Sequence, residues 1–201
     1  MGASRGWYQP RHLPHRDEAG LVQAITFHLK GSRPPRSPQA DLPNTRREAS
    51  AREGMHRALD QGWGECLLAD PRAAQIVEEA LFFGDNLRYL LLAWVVMPNH
   101  VHVLIETRAG WGMDRVVGSW KTYTAGRINT LLGRNGPLWE RDYYDRFVRD
   151  EGHLGSAIRY VHNNPVKAGL VESPEQWRYG SAWRVEDLSA PYHAPYTATD
   201  L

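Results

Sequence analysis

Residues 87–106 place the tightest constraint on the fold. Residues 87–97 are rich in apolar and β-branched side chains, Pro98-Asn99 is a turn signal, and residues 100–106 alternate in polarity. Two β-forming runs joined by a tight turn close as a hairpin, so the chain is expected to contain an antiparallel sheet. The alternation also fixes faces. Successive side chains of a strand point to opposite sides, which puts His100 and His102 on one face and Val101, Val103 and Ile105 on the other.

The remaining elements follow from local signals. Residues 21–29 read as a strand. Asp70-Pro71 supplies an N-cap and a proline at the first helical position, and Ala73, Ile76, Val77, Ala80 and Leu81 recur at helical spacing, predicting a helix over 71–83. Residues 113–132 are helical by pattern, with Gly133 as terminator. Residues 138–148 are aromatic-rich and read as short strands. Asp150 can cap a helix running to about residue 164, where Pro165 is expected to stop it. Strand, helix, hairpin, helix, strand and helix is an α+β order. Its simplest packing is a ferredoxin-like antiparallel sheet with helices packed on one face. Residues 1–20 read as a polar arm, 21–184 as one domain, and 185–201 as a loose C-terminal tail. Within the domain, 31–45 is a proline-rich loop and 46–61 is polar with weak helical character.

Composition narrows the function classes. Cys66 is the sole cysteine, which excludes an internal disulfide framework and a cysteine-based zinc site. The longest apolar run, 90–97, is far short of the ~20 residues that cross a bilayer, and no signal peptide is visible, so a soluble, cytoplasmic protein without a membrane partner is expected. The 24 Lys and Arg against 23 Asp and Glu give a net charge of +1, which disfavours a uniformly basic, nucleic-acid-coating protein. The charge is unevenly spread, however. Arg115, Lys121, Arg127, Arg134, Arg141, Arg146 and Arg149 face only Glu140, Asp142 and Asp145 within the same stretch. Such a local basic strip suits phosphate contact. Only Lys30, Lys121 and Lys167 are lysines. Arginine's planar fork matches phosphate oxygens, although a GC-rich genome would produce the same excess.

Two groups of residues carry chemistry. His100 and His102, side by side on a strand, could hold one divalent metal, or could merely alternate on a half-exposed strand. On the helix after Asp150, Leu154, Ile158 and Val161 form the buried stripe, and Tyr160 and Asn164 are one turn apart on a neighbouring face. An Asn carbonyl is a suitable hard ligand. A packing tyrosine and a C-terminal polar residue before Pro165 are the plain alternatives.

Met97-Pro98-Asn99-His100-Val101-His102, paired with Tyr160-Val161-His162-Asn163-Asn164-Pro165-Val166-Lys167, resembles the REP-associated tyrosine transposases of the single-tyrosine HUH family. The similarity extends over roughly residues 20–183, including Gly136-Pro137-Leu138-Trp139 and Asp142-Tyr143-Tyr144-Asp145-Arg146. The resemblance implies a ferredoxin-like fold, His100, His102 and Asn164 as metal ligands, and Tyr160 as nucleophile. It implies Mg²⁺ or Mn²⁺ as cofactor and single-stranded or hairpin DNA as partner, cleaved and rejoined through a 5′-phosphotyrosine. It favours a monomer, with a dimer as the alternative. Lys121, Arg127, Arg134, Arg141, Arg146 and Arg149 would then contact phosphates, and Trp139, Tyr143 and Tyr144 would stack unpaired bases. His162, roughly 200° around the helix from Tyr160, reads as non-catalytic. A domesticated hairpin-binding protein without cleavage activity and a small metallohydrolase are the competing readings.

Overall fold

The structure is a computed structural model and describes residues 6–8, 15–32, 54 and 57–187. Two short strands, β1 (Gly6–Tyr8) and β2 (His15–Asp17), pair antiparallel as a separate ribbon, so the polar arm expected at the start contains paired backbone. The main sheet comprises β3 (Val22–His28), β4 (Tyr89–Val96), β5 (His100–Thr107) and β6 (Tyr144–Phe147), in the order β4-β5-β3-β6. Every neighbouring pair is antiparallel.

Helix α1 (Pro71–Phe83) joins β3 to β4, and α2 (Met113–Leu131) joins β5 to β6. Each strand–helix–strand unit leaves a gap that one strand of the other unit fills, which is the ferredoxin-like arrangement. Crossovers between parallel strands of one sheet share a hand, so both helices fall on the same face. There Ala73, Val77 and Leu81 of α1 and Val116, Trp120 and Ile128 of α2 cover Ile25, Phe27, Val101, Val103 and Ile105. Helix α1 begins at the predicted residue: the Asp70 carboxylate accepts the Arg72 backbone N–H at 2.9 Å and Pro71 occupies the first turn.

The opposite face is also covered. Helix α3 (Glu151–His162), capped by Asp150 accepting the His153 N–H at 2.8 Å, lies across it. Its Val161, Leu154, Ala157 and Ile158 meet Ala93, Val95, Met97 and Leu104. Burial on both sides explains why residues 90–97 are apolar without alternation: Trp94 and Val96 enter one core and Ala93 and Val95 the other.

Pro165 does not end the helical path. Helix α3 closes at His162, the chain turns at Asn163, and α4 (Asn164–Lys167) starts with Pro165 in its first turn. A proline there loses no hydrogen bond, because the first N–H groups of a helix have no partner within it. Residues 185–187 belong to a 3-10 segment, Ser181–Asp187. The rest of the expected tail and residues 33–45 of the proline-rich loop lie outside the described residues. No helix among the described residues is long and apolar enough to cross a membrane.

Candidate functional site

Strand register brings the histidines together under α3. His102 pairs with Thr26 and His100 with His28 on β3, and both histidines are buried on the face α3 covers. Nδ1 of His100 lies 2.7 Å from Asn99 Oδ1, an atom that can only accept, so Nδ1 carries the proton and Nε2 the lone pair. Nδ1 of His102 is held by Thr26 Oγ1 at 2.8 Å. The two Nε2 atoms face each other at 3.0 Å. Two ring nitrogens at that separation require a proton or a cation between them. The Asp60 carboxylate, 3.8 Å from His100 Nε2, adds negative charge at the same point. Asp60, His100 and His102 thus form a donor set of two imidazoles and a carboxylate that fits a divalent cation.

Asn99 fastens the site in two directions. Its Oδ1 orients His100 and its Nδ2 donates to the Trp63 carbonyl at 2.9 Å, tying down the segment that carries Asp60. Burial raises the Asp60 carboxyl to about 6, and the Lys167 ammonium partly offsets the rise.

Tyr160 stands beside this centre, 36% exposed, with its ring 5.4 Å from that of His102. Burial lifts its phenol to about 12, the Asp60 charge pushes in the same direction, and a hydrogen bond from the Asn164 side chain pulls it down. Asn164 is fully buried on α4; its Nδ2 donates to the Tyr160 carbonyl at 2.8 Å, and its Oδ1 has no hydrogen-bond partner. The turn at Asn163 also returns Lys167 over the Tyr160 ring, with Nζ 4.4 Å from its centre. His162 points elsewhere, its Nε2 2.8 Å from Ser181 Oγ.

The basic and aromatic residues expected to touch DNA divide between environments. Arg146 is exposed and lines a cleft of about 700 Å³ next to Tyr160. Arg141 and Arg149 are exposed on the segment around β6. Arg127 and Arg134 follow α2 and its C-terminal end, on the layer across the sheet from the histidines, and Arg134 pairs with Glu65 at 2.9 Å. Lys121 has a structural position: Nζ donates to the carbonyls of Glu140, Arg141 and Asp142 at 3.0, 3.3 and 2.9 Å. Trp139 and Tyr143 are core residues, 6% and 8% exposed. Trp139 donates to Thr124 Oγ1 at 2.9 Å and packs edge-on against Phe27 at 4.8 Å. Neither ring has a free face for a base. Asp60, Asn99 and Lys167 are the site residues that sequence reasoning passed over. The buried Asn99 in an otherwise exposed type of turn is the one with a local signal, since it directly precedes the His-x-His pair.

Comparison with known proteins agrees with this geometry. Residues 70–164 match the family described as "Transposase IS200 like". That span of the chain is similar to IS200-like transposases. His100, His102, Tyr160 and Asn164 fall inside the matched span, whereas Asp60 and Lys167 fall outside it. An Escherichia coli REP-associated tyrosine transposase is 24% identical, over 46% of this chain and 53% of the relative. A Haemophilus influenzae protein provisionally named a REP-associated tyrosine transposase is 25% identical, over 46% of this chain and 58% of the relative. The chain thus spans about half the length of the curated relatives it matches. A solved REP-associated tyrosine transposase bound to a REP hairpin shares the fold of this chain, with a TM-score of 0.61 at 15% identity over 93% of this chain and 91% of that one.

Proposed function

We propose that this chain is a metal-dependent transposase or nuclease that cleaves and rejoins single-stranded DNA beside hairpins in the cytoplasm, with Tyr160 as nucleophile. The observation that carries this is the placement of Tyr160 beside His102, above two Nε2 atoms that face each other at 3.0 Å. The family match, and the hairpin bound by the structural relative, support the substrate class.

His100 Nε2, His102 Nε2 and the Asp60 carboxylate would hold Mg²⁺ or Mn²⁺, with the buried Asn164 Oδ1 as a further oxygen donor. The bound cation supplies Lewis acidity at the scissile phosphate and at the departing oxygen. The protein's own part is positional. Asn164 ties down the Tyr160 backbone through its carbonyl, and Lys167 lies over the Tyr160 ring. Its phenol is protonated at neutral pH, so the proton leaves as the Oη–P bond forms. The P–O3′ bond breaks in the same displacement, and the 3′ oxygen leaves as a hydroxyl, taking up by way of solvent the one proton that the phenol gives up. A 5′-phosphotyrosine remains, and attack by another 3′-hydroxyl reverses the step and rejoins DNA. Tyrosine, histidines and asparagine all come from one chain, which supports action as a monomer.

A labelled hairpin oligonucleotide with a 3′ single-stranded flank should give a denaturation-resistant protein–DNA band in Mg²⁺ or Mn²⁺. Tyr160→Phe should abolish the band while retaining hairpin binding. Retarded DNA without a covalent band at any metal concentration would identify a binding protein, and turnover by Tyr160→Phe a metallohydrolase.

A further inference from the structure

Lys167 carries a charge that the fold itself does not use. It ends α4, and in an unbroken helix it would lie two turns, about 10 Å, beyond Tyr160. The turn at Asn163 cancels that distance. Asn164 Nδ2, donating to the Tyr160 carbonyl at 2.8 Å, fastens α4 beside the last turn of α3. The Lys167 N–H closes the turn onto the Asn163 carbonyl at 2.9 Å. Nζ then stands 4.4 Å from the centre of the Tyr160 ring, over its face. The lysine is exposed, and among the described residues it has no salt-bridge partner.

A cation over an aromatic ring gains from the negative face of the ring, which keeps an exposed ammonium there while nothing stronger is offered. Two anions can draw it away. One is Asp60, whose carboxylate the Lys167 charge already favours. A divalent cation held by Asp60, His100 and His102 would neutralise that pull and leave Lys167 to Tyr160. The other anion arrives with the substrate. Once Oη has taken the phosphorus, a negatively charged phosphodiester hangs from the ring that Lys167 covers. Lysine is a point charge on a flexible stem, so Nζ can pass from the ring face to a phosphate oxygen without any backbone change.

We propose that Lys167 is a further catalytic residue, the counter-ion of the phosphate that Tyr160 attacks and then carries. It covers the ring in the free protein and pairs with a non-bridging phosphate oxygen in the DNA complex and in the phosphotyrosine. It remains an ammonium throughout. The Oη–P bond forms as the phenol proton leaves to solvent, the P–O3′ bond breaks, the 3′ oxygen takes one proton from solvent, and Lys167 neither gives nor takes any. The proposal rests on the transposase reading and adds to it a cation that the chain itself supplies beside the nucleophile, on α4 and outside the metal donor set. Attack by a 3′-hydroxyl runs back through the same arrangement, so Lys167 serves cleavage and rejoining alike.

Two variants of the full chain separate charge from shape: Lys167→Met keeps the stem and removes the charge, and Lys167→Arg keeps the charge. With saturating hairpin oligonucleotide and Mn²⁺, Lys167→Met should slow formation of the covalent band by about tenfold or more, and Lys167→Arg should recover most of the rate. Mn²⁺ affinity without DNA, measured by titration calorimetry, should hold or tighten in Lys167→Met, because a like charge has left the neighbourhood of Asp60. A merely structural role predicts the reverse, weaker Mn²⁺ binding together with the slower rate. The phosphate contact is read without chemistry in a Tyr160→Phe background, by replacing the flank phosphates one at a time with uncharged methylphosphonate. One position should cost several-fold in affinity when Lys167 is present and almost nothing in Lys167→Met. An undiminished rate in Lys167→Met, equal losses in both variants, weakened Mn²⁺ binding, or a methylphosphonate penalty that ignores the lysine overturns the role. The band formed by the unaltered protein is scored separately. A band without the phosphate coupling rejects Lys167 alone, whereas the coupling without any band rejects the transposase reading and leaves Lys167 as a phosphate contact.

Discussion

Asn99 shows how much of the site depends on a residue that touches no reacting atom. Without its Oδ1, His100 is free to change tautomer and turn Nε2 away from His102, and the Trp63 carbonyl loses its donor. Partners of this kind typically govern metal affinity by about 10–100-fold, so Asn99→Ala should weaken Mn²⁺ binding by that factor in titration calorimetry. An unchanged affinity would remove Asn99 from the centre. Asp60 gives a pH signature. Its carboxyl lies at about 6 in the folded chain against 3.8 for an ordinary aspartate, so between those values the folded state holds more protons than the unfolded one. Metal-free stability therefore falls as pH rises through that window. Binding a cation needs the carboxylate, so metal affinity should rise from pH 5 to 7, and Asp60→Asn should flatten both trends. Melting curves with and without Mn²⁺ across that range check the sign.

At the scale of elements, the sequence was legible where signals were local. Asp70-Pro71 marks the start of α1 because capping and the proline's tolerance of a first turn are decided within a few residues. The faces of β5 were legible because strand alternation is rigid. Residues 138–148 were not, because composition says aromatic and basic but not which way each side chain turns. Trp139 goes inward to Thr124 and Phe27, and Lys121 reaches from α2 to three carbonyls of the loop before β6. The sequence distance between these partners hides the contacts, and the same holds for Asp60 and His100. The consequence can be measured. Trp139→Ala should cost about 3–5 kcal/mol of unfolding free energy, as for other large core aromatics. DNA affinity, corrected for the folded fraction, should be unchanged. A selective loss of DNA binding with full stability would return Trp139 to the interface.

Over the whole molecule, the sheet acts as a partition. One face, under α1 and α2, holds the larger apolar core. The other carries His100, His102 and the cleft, with α3 as its roof. The basic strip at 115–149 is continuous in sequence but split by this partition: Arg127 rides on α2, whereas Arg146 projects from β6 into the cleft. Phosphate contacts release counterions, and each one lost from a single strand lowers the salt slope of binding by about 0.7. Arg146→Ala should therefore reduce the slope of log K against log salt by roughly that amount for a hairpin with a single-stranded flank. Arg127→Ala, equal in charge but on the far layer, should leave the slope unchanged. Equal reductions from both would mean that DNA wraps the sheet edge and meets both faces. A reduction from Arg127→Ala alone would move the DNA to the helical layer and separate it from Tyr160. With a net charge of only +1, the molecule has little general attraction for a polyanion, so position relative to the sheet, not the total, decides which arginines count.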